Sequence, residues 1–257
     1  MTGDSRLTVY VVRHGERVDH VDETWVRTAD APYDPPLTAN GWTQARQAGT
    51  LMHTLEASKP PAQEYLMLVS PFLRCAQTAE GLCAGFQAQN SLSATWKVAV
   101  EPGISEIMSE NYFNSSDQVP TTIISDRQHE IQRGLVCANM AYNGGYDMAS
   151  EDLPEYPESY QQMLARFAAT LDRVAAGLLG KSECGRRVVV VLVTHGAGIS
   201  AMQWAMARRL GANDVAYCAM LSGTATARTA SPEPALTWTM EYPPPPNNRA
   251  GHQRPSL

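Results

Sequence analysis

The sequence is short of several things, and each shortage excludes something. Its five cysteines, Cys75, Cys83, Cys137, Cys184 and Cys218, form an odd set with no Cys-x-x-Cys pair and no metal-ligand spacing. That argues against a disulfide framework or a zinc site and for reduced thiols inside a cell. No apolar run approaches the roughly 20 residues needed to cross a bilayer. The first residues, Met1 to Arg6, lack the basic-then-apolar pattern of a secretory leader. The expectation is a soluble, cytoplasmic protein with no membrane partner. There is no basic excess either: the net charge is -6, so no long-range field draws nucleic acid, and anion handling must come from local clusters of Arg and His. No internal repeat is visible. What is present is a chain of 257 residues, 44% hydrophobic and 18% charged, enough for one large α/β domain.

Leu7 to Val12 is β-branched and apolar on both parities, as a strand covered on both faces would be, and it stops at Arg13-His14-Gly15. Thr38 can cap a helix in which Trp42, Ala45, Met52 and Leu55 recur at helical spacing, and that stripe should face the sheet. Leu66 to Val69 reads as a second strand. Ser70-Pro71 follows as a cap with proline in the first turn, opening a helix to about Cys83. Trp96 to Val100 is a third strand, leading to Glu106.

The alternation then breaks. Residues 107–157 carry Asn, Ser, Gly and Pro, with a helical hint from Asp126 to Ala141, and read as an inserted lid. A helix from Glu158 to Leu179, a strong strand from Arg187 to Thr194, His195, and a helix from Ile199 to Arg209 restore the pattern. Tyr217 to Ser222 and Leu236 to Tyr242 supply edge strands. The proline-rich tail, residues 243–257, is expected to be disordered, leaving a single domain over residues 1–242. The expected fold is a three-layer α/β/α sandwich with a mainly parallel sheet and its site at the carboxyl ends of the strands. His14, Ser70, Glu106 and His195 all stand just past such ends.

Phosphoryl transfer to an imidazole needs one neutral ring nitrogen in line with phosphorus, cationic donors for the non-bridging oxygens, and an acid for the leaving oxygen. His14 is the candidate nucleophile. Arg13, Arg17 and Arg74 offer fork-shaped donors, His195 a further hydrogen bond, and Glu106 the acid. Fixed arginines do the neutralising that a cation otherwise would, so no metal or cofactor is expected. Taken singly, a histidine after a strand is more often a hydrogen-bonded loop residue, Arg74 a surface ion-pair residue, and Glu106 a solvated carboxylate beside Glu101 and Glu110. Ser70 reads as contacting either Arg74 or the helix end, a capping role first. His20, His53, His129 and His252 read as structural or exposed, His20 alone being placed to line the pocket.

The motifs together resemble one family. Val11-Val12-Arg13-His14-Gly15-Glu16 is similar to the RHG signature of the histidine phosphatase superfamily, which has a phosphoglycerate mutase-like fold. Pro36-Leu37-Thr38-Ala39-Asn40-Gly41-Trp42-Thr43-Gln44-Ala45 resembles its second element, Ser70 to Ala79 its S-P-x-x-R-x-x-Q-T-A element, and Thr194-His195-Gly196 its second catalytic histidine. The resemblance implies that His14 is transiently phosphorylated, that Arg13, Arg74 and His195 complete a phosphate pocket, and that Glu106 is the acid.

Departures narrow the branch. Gly196 stands where acid phosphatases and phytases carry an Asp. Arg17 and His20 stand where mutases and fructose bisphosphatases carry Ser and Asn. Arg13 to Asp19 is instead similar to the Sts-type (suppressor of T-cell receptor signalling) phosphatase domains, in which the second arginine also reaches phosphate. The implied activity is hydrolysis of a phosphorylated small molecule or a phosphoprotein, with phosphotyrosine or aryl phosphate as one substrate class. Alternatives are a mutase or sugar bisphosphatase, and a catalytically weak scaffold that keeps the pocket. Oligomeric state is left open, a homodimer being one form. Tyr112, Phe113 and Tyr142 of the insert either stack on an aromatic ester or pack the lid.

Overall fold

A computed structural model describes residues 6–89, 94–111, 113, 122–146, 154–180, 186–208, 215–227 and 236–241. The chain runs β1 (Arg6–Arg13), α1 (Ala39–Ala57), β2 (Glu64–Val69), α2 (Leu73–Gln87), β3 (Trp96–Val100), α3 (Ile123–Gln132), β4 (Ala141–Tyr142), α4 (Tyr160–Gly180), β5 (Arg187–Thr194), α5 (Gly196–Ala207), β6 (Met220–Ala227) and β7 (Leu236–Glu241). The strands form one sheet in the order β4-β3-β2-β5-β1-β6-β7. Pairing is parallel from β4 through β1 and antiparallel at β1–β6 and β6–β7.

The two-sided apolar character of the strands is explained by two cores. Tyr10, Val12, Met67, Val69, Val189, Val191 and Val193 point to one face and pack on Ala45, Ala48 and Met52 of α1 and on Ala76, Ala79 and Leu82 of α2. The alternate residues Leu7, Val9, Val11, Leu66, Leu68, Val190 and Leu192 meet Met163, Phe167 and Leu171 of α4 and Ile199 and Met202 of α5. Period-2 alternation with both faces apolar therefore yields the expected α/β/α sandwich.

Several boundaries differ from expectation. The helix after β2 begins at Leu73, with Phe72 in an extended conformation at its cap position, so Ser70 and Pro71 stand outside it. Asp34, from a distant loop, accepts the Leu73 amide at 2.6 Å and satisfies that helix start instead. α5 begins at Gly196, directly after His195, rather than at Ile199. β6 lies inside the sheet, between β1 and β7, so of the two strands expected at an edge β7 alone stands at one, the opposite edge being β4.

The insert also does more than cover the site. β4 extends the sheet beyond β3, and α3 begins at Ile123, earlier than the sequence hint. Phe113 packs on Phe72 with ring centroids 6.4 Å apart, so it fills the lid, while Tyr142 lies exposed on the short β4 strand. The four cysteines among the described residues are free and buried. Cys184, Tyr112, His252 and the 243–257 tail lie outside the described residues.

Candidate active site

Strand registry sets the floor of the site. Arg13 pairs with Thr194, and Val69 pairs with both Val193 and Val100, so four strands, β1, β5, β2 and β3, end within one residue of the same level. The ladder then continues one residue further. His14 N–H donates to Thr194 O at 2.9 Å, Ser70 N–H to Val193 O at 3.0 Å, and Glu101 N–H to Val69 O at 2.8 Å. The first residues past β1, β5 and β2 are thus His14, His195 and Ser70, in the crevice where α/β sheets bind ligands.

His14 is almost fully buried, and its Nδ1 lies 2.8 Å from the Gly15 carbonyl oxygen. A carbonyl only accepts, so Nδ1 carries the proton and Nε2 keeps its lone pair. Burial first, then the charge of Arg74, holds the imidazole well below its ordinary pKa. The ring is therefore a neutral base with a defined free nitrogen. His195 lies edge-on to it, with centroids 5.4 Å apart, and is held neutral by the same two causes in the same order.

The second motif exists to hold the first. Thr38 Oγ1 donates to Glu16 Oε1 at 2.7 Å and accepts the Gly41 amide at 2.9 Å as the cap of α1. Asn40 Nδ2 donates to Glu16 Oε2 and Gln44 Oε1 accepts the Glu16 amide. Gly41 has to be glycine because a Cβ there would lie 2.2 Å from the Glu16 carbonyl oxygen. Thr78 of the third motif accepts the Gly15 amide at 3.0 Å.

Arg74, on the first turn of α2, joins the two sides. It is 1% exposed, its Nη2 lies 3.3 Å from His195 Nδ1 and 3.7 Å from Glu106 Oε2, and its guanidinium rests 4.3 Å over the Phe72 ring. Its Nε and Nη1 find no hydrogen-bond partner among the described residues, and neither does Arg13 Nε. Asp34 stands 4.0 Å from Nη1, at the limit of an ion pair. Buried donors left unmade are costly, and three guanidinium N–H groups of this kind fit an oxyanion.

Arg13 is otherwise fixed: Nη1 donates to the Val215 carbonyl and the guanidinium stacks 4.4 Å from the Tyr217 ring centroid. Arg17 is engaged by the Asp19 carboxylate through both Nε and Nη2. Its charge nonetheless contributes to lowering His14.

Glu106 is 3% exposed, and burial pushes its carboxyl above the ordinary carboxylate range, against the pull of Arg74. Its Oε2 lies 3.3 Å from His195 Nδ1. An upward shift favours the protonated form that an acid for a leaving oxygen requires. Glu101 and Glu110 do not share its position: Glu101 is tied up with Gly103 N–H and Arg173, and Glu110 is exposed.

Two participants were not legible as such. Ser70, expected as a cap, places Oγ 2.7 Å from His195 Nε2. A hydroxyl can donate or accept, so it accommodates either tautomer of His195. Tyr217 stands 6.0 Å from the His14 ring, and its hydroxyl meets His20 Nδ1, so His20 does border the pocket. Burial and Arg17 bring His20 down to about 4. Tyr217 precedes β6 with no motif around it, and nothing in the sequence marks it. His53 is buried against Phe86 and His129 lies on α3, both away from the site.

Residues 9–114 match the model of the histidine phosphatase superfamily (branch 1). The chain is 30% identical over 198 residues to the ubiquitin-associated and SH3 domain-containing protein A of Mus musculus, an alignment covering 66% of this chain and 29% of that protein. It spans less than a third of the length of the curated relatives it matches. Among solved structures, the ecdysone phosphate phosphatase of Bombyx mori in complex with tungstate superposes with a TM-score of 0.60 at 22% identity, covering 97% of each chain. The phosphoglycerate mutase of Bacillus anthracis str. Sterne gives 0.52 at 14% identity, covering 94% of each. These two likenesses establish a phosphoglycerate mutase-like fold.

Proposed function

We propose that this chain, which belongs to the histidine phosphatase superfamily (branch 1), hydrolyses phosphate monoesters through a phosphohistidine on His14. The observation that carries the reading is a neutral, buried His14 with its proton fixed on Nδ1, facing a pocket in which Arg13 and Arg74 hold unmade donors. In the first step the Nε2 lone pair attacks phosphorus, the ester P–O bond breaks, and the leaving oxygen takes the proton of Glu106. In the second, the Glu106 carboxylate takes a proton from water, whose oxygen attacks phosphorus. The P–N bond breaks, inorganic phosphate leaves, and His14 returns to its neutral state. Arg13 and Arg74 neutralise the transferring group and neutral His195 offers it a hydrogen bond, with Arg17 as a further donor once released from Asp19.

For the alcohol portion of the ester, an aryl or other flat apolar group is favoured. The Tyr217 ring stands beside His14, and the neighbouring His20 is neutral. Among similar proteins, one phosphatase is named for an ecdysteroid phosphate, the ester of a large apolar alcohol, and phosphotyrosine is an aryl ester with a flat ring that the same surface would suit.

The test is release of phosphate from p-nitrophenyl phosphate, with acid-labile label trapped on the protein after rapid denaturation. His14→Ala should lose at least ~10³-fold in rate and all of the label. Equal rates for the variant and the wild type would overturn the mechanism.

A further inference from the structure

Glu106 sits on a loop, and loops do not by themselves hold a proton donor to the fraction of an ångström that proton transfer needs. Residues 101–108 are gripped from one side by α4. Arg166 on α4 is 7% exposed and forms a two-pronged pair with Glu158, Nε to Oε1 at 2.7 Å and Nη2 to Oε2 at 2.8 Å. The rest of its guanidinium is spent on the loop: Nη1 donates to Gly103 O at 2.8 Å, and Nη1 and Nη2 both reach Ser105 O at 3.4 Å. Glu158 grips the far end, accepting Met108 N–H at 3.3 Å on Oε2 and donating its own N–H to Met108 O at 2.7 Å.

The loop is fastened again two helical turns on. Arg173, at i+7 from Arg166, donates to Glu101 Oε2 at 2.7 Å, and Glu101 Oε1 accepts Gly103 N–H at 2.8 Å. Between them, at i+4, Thr170 lies so close that a Cβ on Gly103 would be 2.1 Å from its Oγ1. Residues four and seven apart share one face of a helix, so Arg166, Thr170 and Arg173 form a single cradle. The main chain on either side of Glu106 is held at Ser105 O and at Met108. Among the described residues the Glu106 carboxyl itself takes one bond, from the Ile107 amide at 3.2 Å, and makes looser approaches to Arg74 and His195. The carboxyl is left available, and its backbone is not.

We propose that the buried Arg166–Glu158 pair is the positioning device for the general acid Glu106, acting on the step in which the leaving oxygen is protonated rather than on phosphate binding. It touches neither phosphate nor His14. The inference rests on the reading of Glu106 as the acid. Its signature is leaving-group dependence. p-Nitrophenolate is a weak base that departs without a proton, whereas an alkoxide from an alkyl phosphate cannot depart unprotonated.

The experiment compares kcat/KM for p-nitrophenyl phosphate and for β-glycerophosphate in wild type, Arg166→Lys, Glu158→Gln and Glu106→Gln, each checked for wild-type circular dichroism and melting behaviour. Lysine cannot reproduce the fork that holds both carbonyls and the carboxylate. Glu106→Gln should lose ~10²-fold or more on the alkyl ester and far less on the aryl ester. Arg166→Lys and Glu158→Gln should follow with ~10-fold on the alkyl ester and within about threefold on the aryl ester. If Glu106→Gln is selective but the two clamp variants lose both substrates equally, the positioning role is overturned while the acid assignment stands. If Glu106→Gln itself shows no selectivity, the acid assignment falls and the proposal falls with it. Should Arg166→Lys fail to fold, Glu158→Gln carries the comparison.

Discussion

The two sides of the pocket are built by different means. On the nucleophile side, His14 extends a parallel ladder by one residue, and its neighbours are fastened by short uncharged side chains: Thr38, Asn40, Gln44 and Thr78. On the acid side, Glu106 rides an irregular loop whose carbonyls are held by Arg166 and whose flank is held by Arg173, each paired with a carboxylate. Sheet registry is shared by many bonds, so losing one leaves the rest in place. A buried ion pair has already been charged for desolvation, and truncating one partner strands the other. One half of the site should therefore tolerate loss of a single polar side chain better than the other. Arg74 belongs to both, lying against His195 and Glu106 at once.

The largest effect that would break this division is at Arg74. Arg74→Lys keeps the charge but loses the fork, so kcat/KM for p-nitrophenyl phosphate should fall by ~10² to 10³ while the fold persists. Activity within a few-fold of wild type would show that the unmade donors do not serve the phosphate. Next comes the seam between the first two motifs. In Gly41→Ala the new Cβ meets the Glu16 carbonyl, a backbone atom that cannot swing away. The expected result is a loss of about 1–3 kcal/mol in urea unfolding and slower phosphohistidine formation. The ratio of alkyl to aryl turnover should stay as in wild type, because the acid side is untouched. A changed ratio would mean that the halves are not separable.

The smallest effect concerns pH. His14 and His195 have folded-state pKa values below the unfolded 6.5 because of burial and Arg74. Between those values and 6.5 the unfolded chain binds more protons than the folded one. Stability therefore rises with pH across that window and levels off above it. The urea midpoint should fall as pH is lowered from 7 towards 5, and it should fall less steeply in His14→Gln. Identical slopes in the two proteins would argue that His14 is not held neutral.

Much of this was legible in the sequence for a simple reason. Strands buried on both faces have to be apolar on both parities, so Leu7 to Val12 and Arg187 to Thr194 announce central strands, and whatever follows them lies at the carboxyl edge. His14, Ser70, Glu106 and His195 are singled out in that way, and Arg74 by its donor chemistry and its motif. Thr38 as a cap was found from its place before an amphipathic helix, and the structure confirms the bond to Gly41. Ser70 was read wrongly as a cap because the local signal for a helix start, serine then proline, is the same whether or not a carboxylate from elsewhere takes over. Here Asp34 does, which frees the hydroxyl for His195.

The sequence by itself determined the layer order, the strand ends and the candidates for the reacting groups, since these follow from periodicity and from which side chains can do phosphoryl chemistry. The tertiary structure alone decided which nitrogen of His14 is free, which partner each arginine takes, and how the loop of Glu106 is held. The hold on that loop depends on groups 50 or more residues apart, such as Met108 with Glu158 and Gly103 with Arg166, and the His14 proton depends on the backbone conformation that brings the Gly15 carbonyl to Nδ1. No local pattern records such pairings, because a buried arginine and an exposed one are written with the same letter.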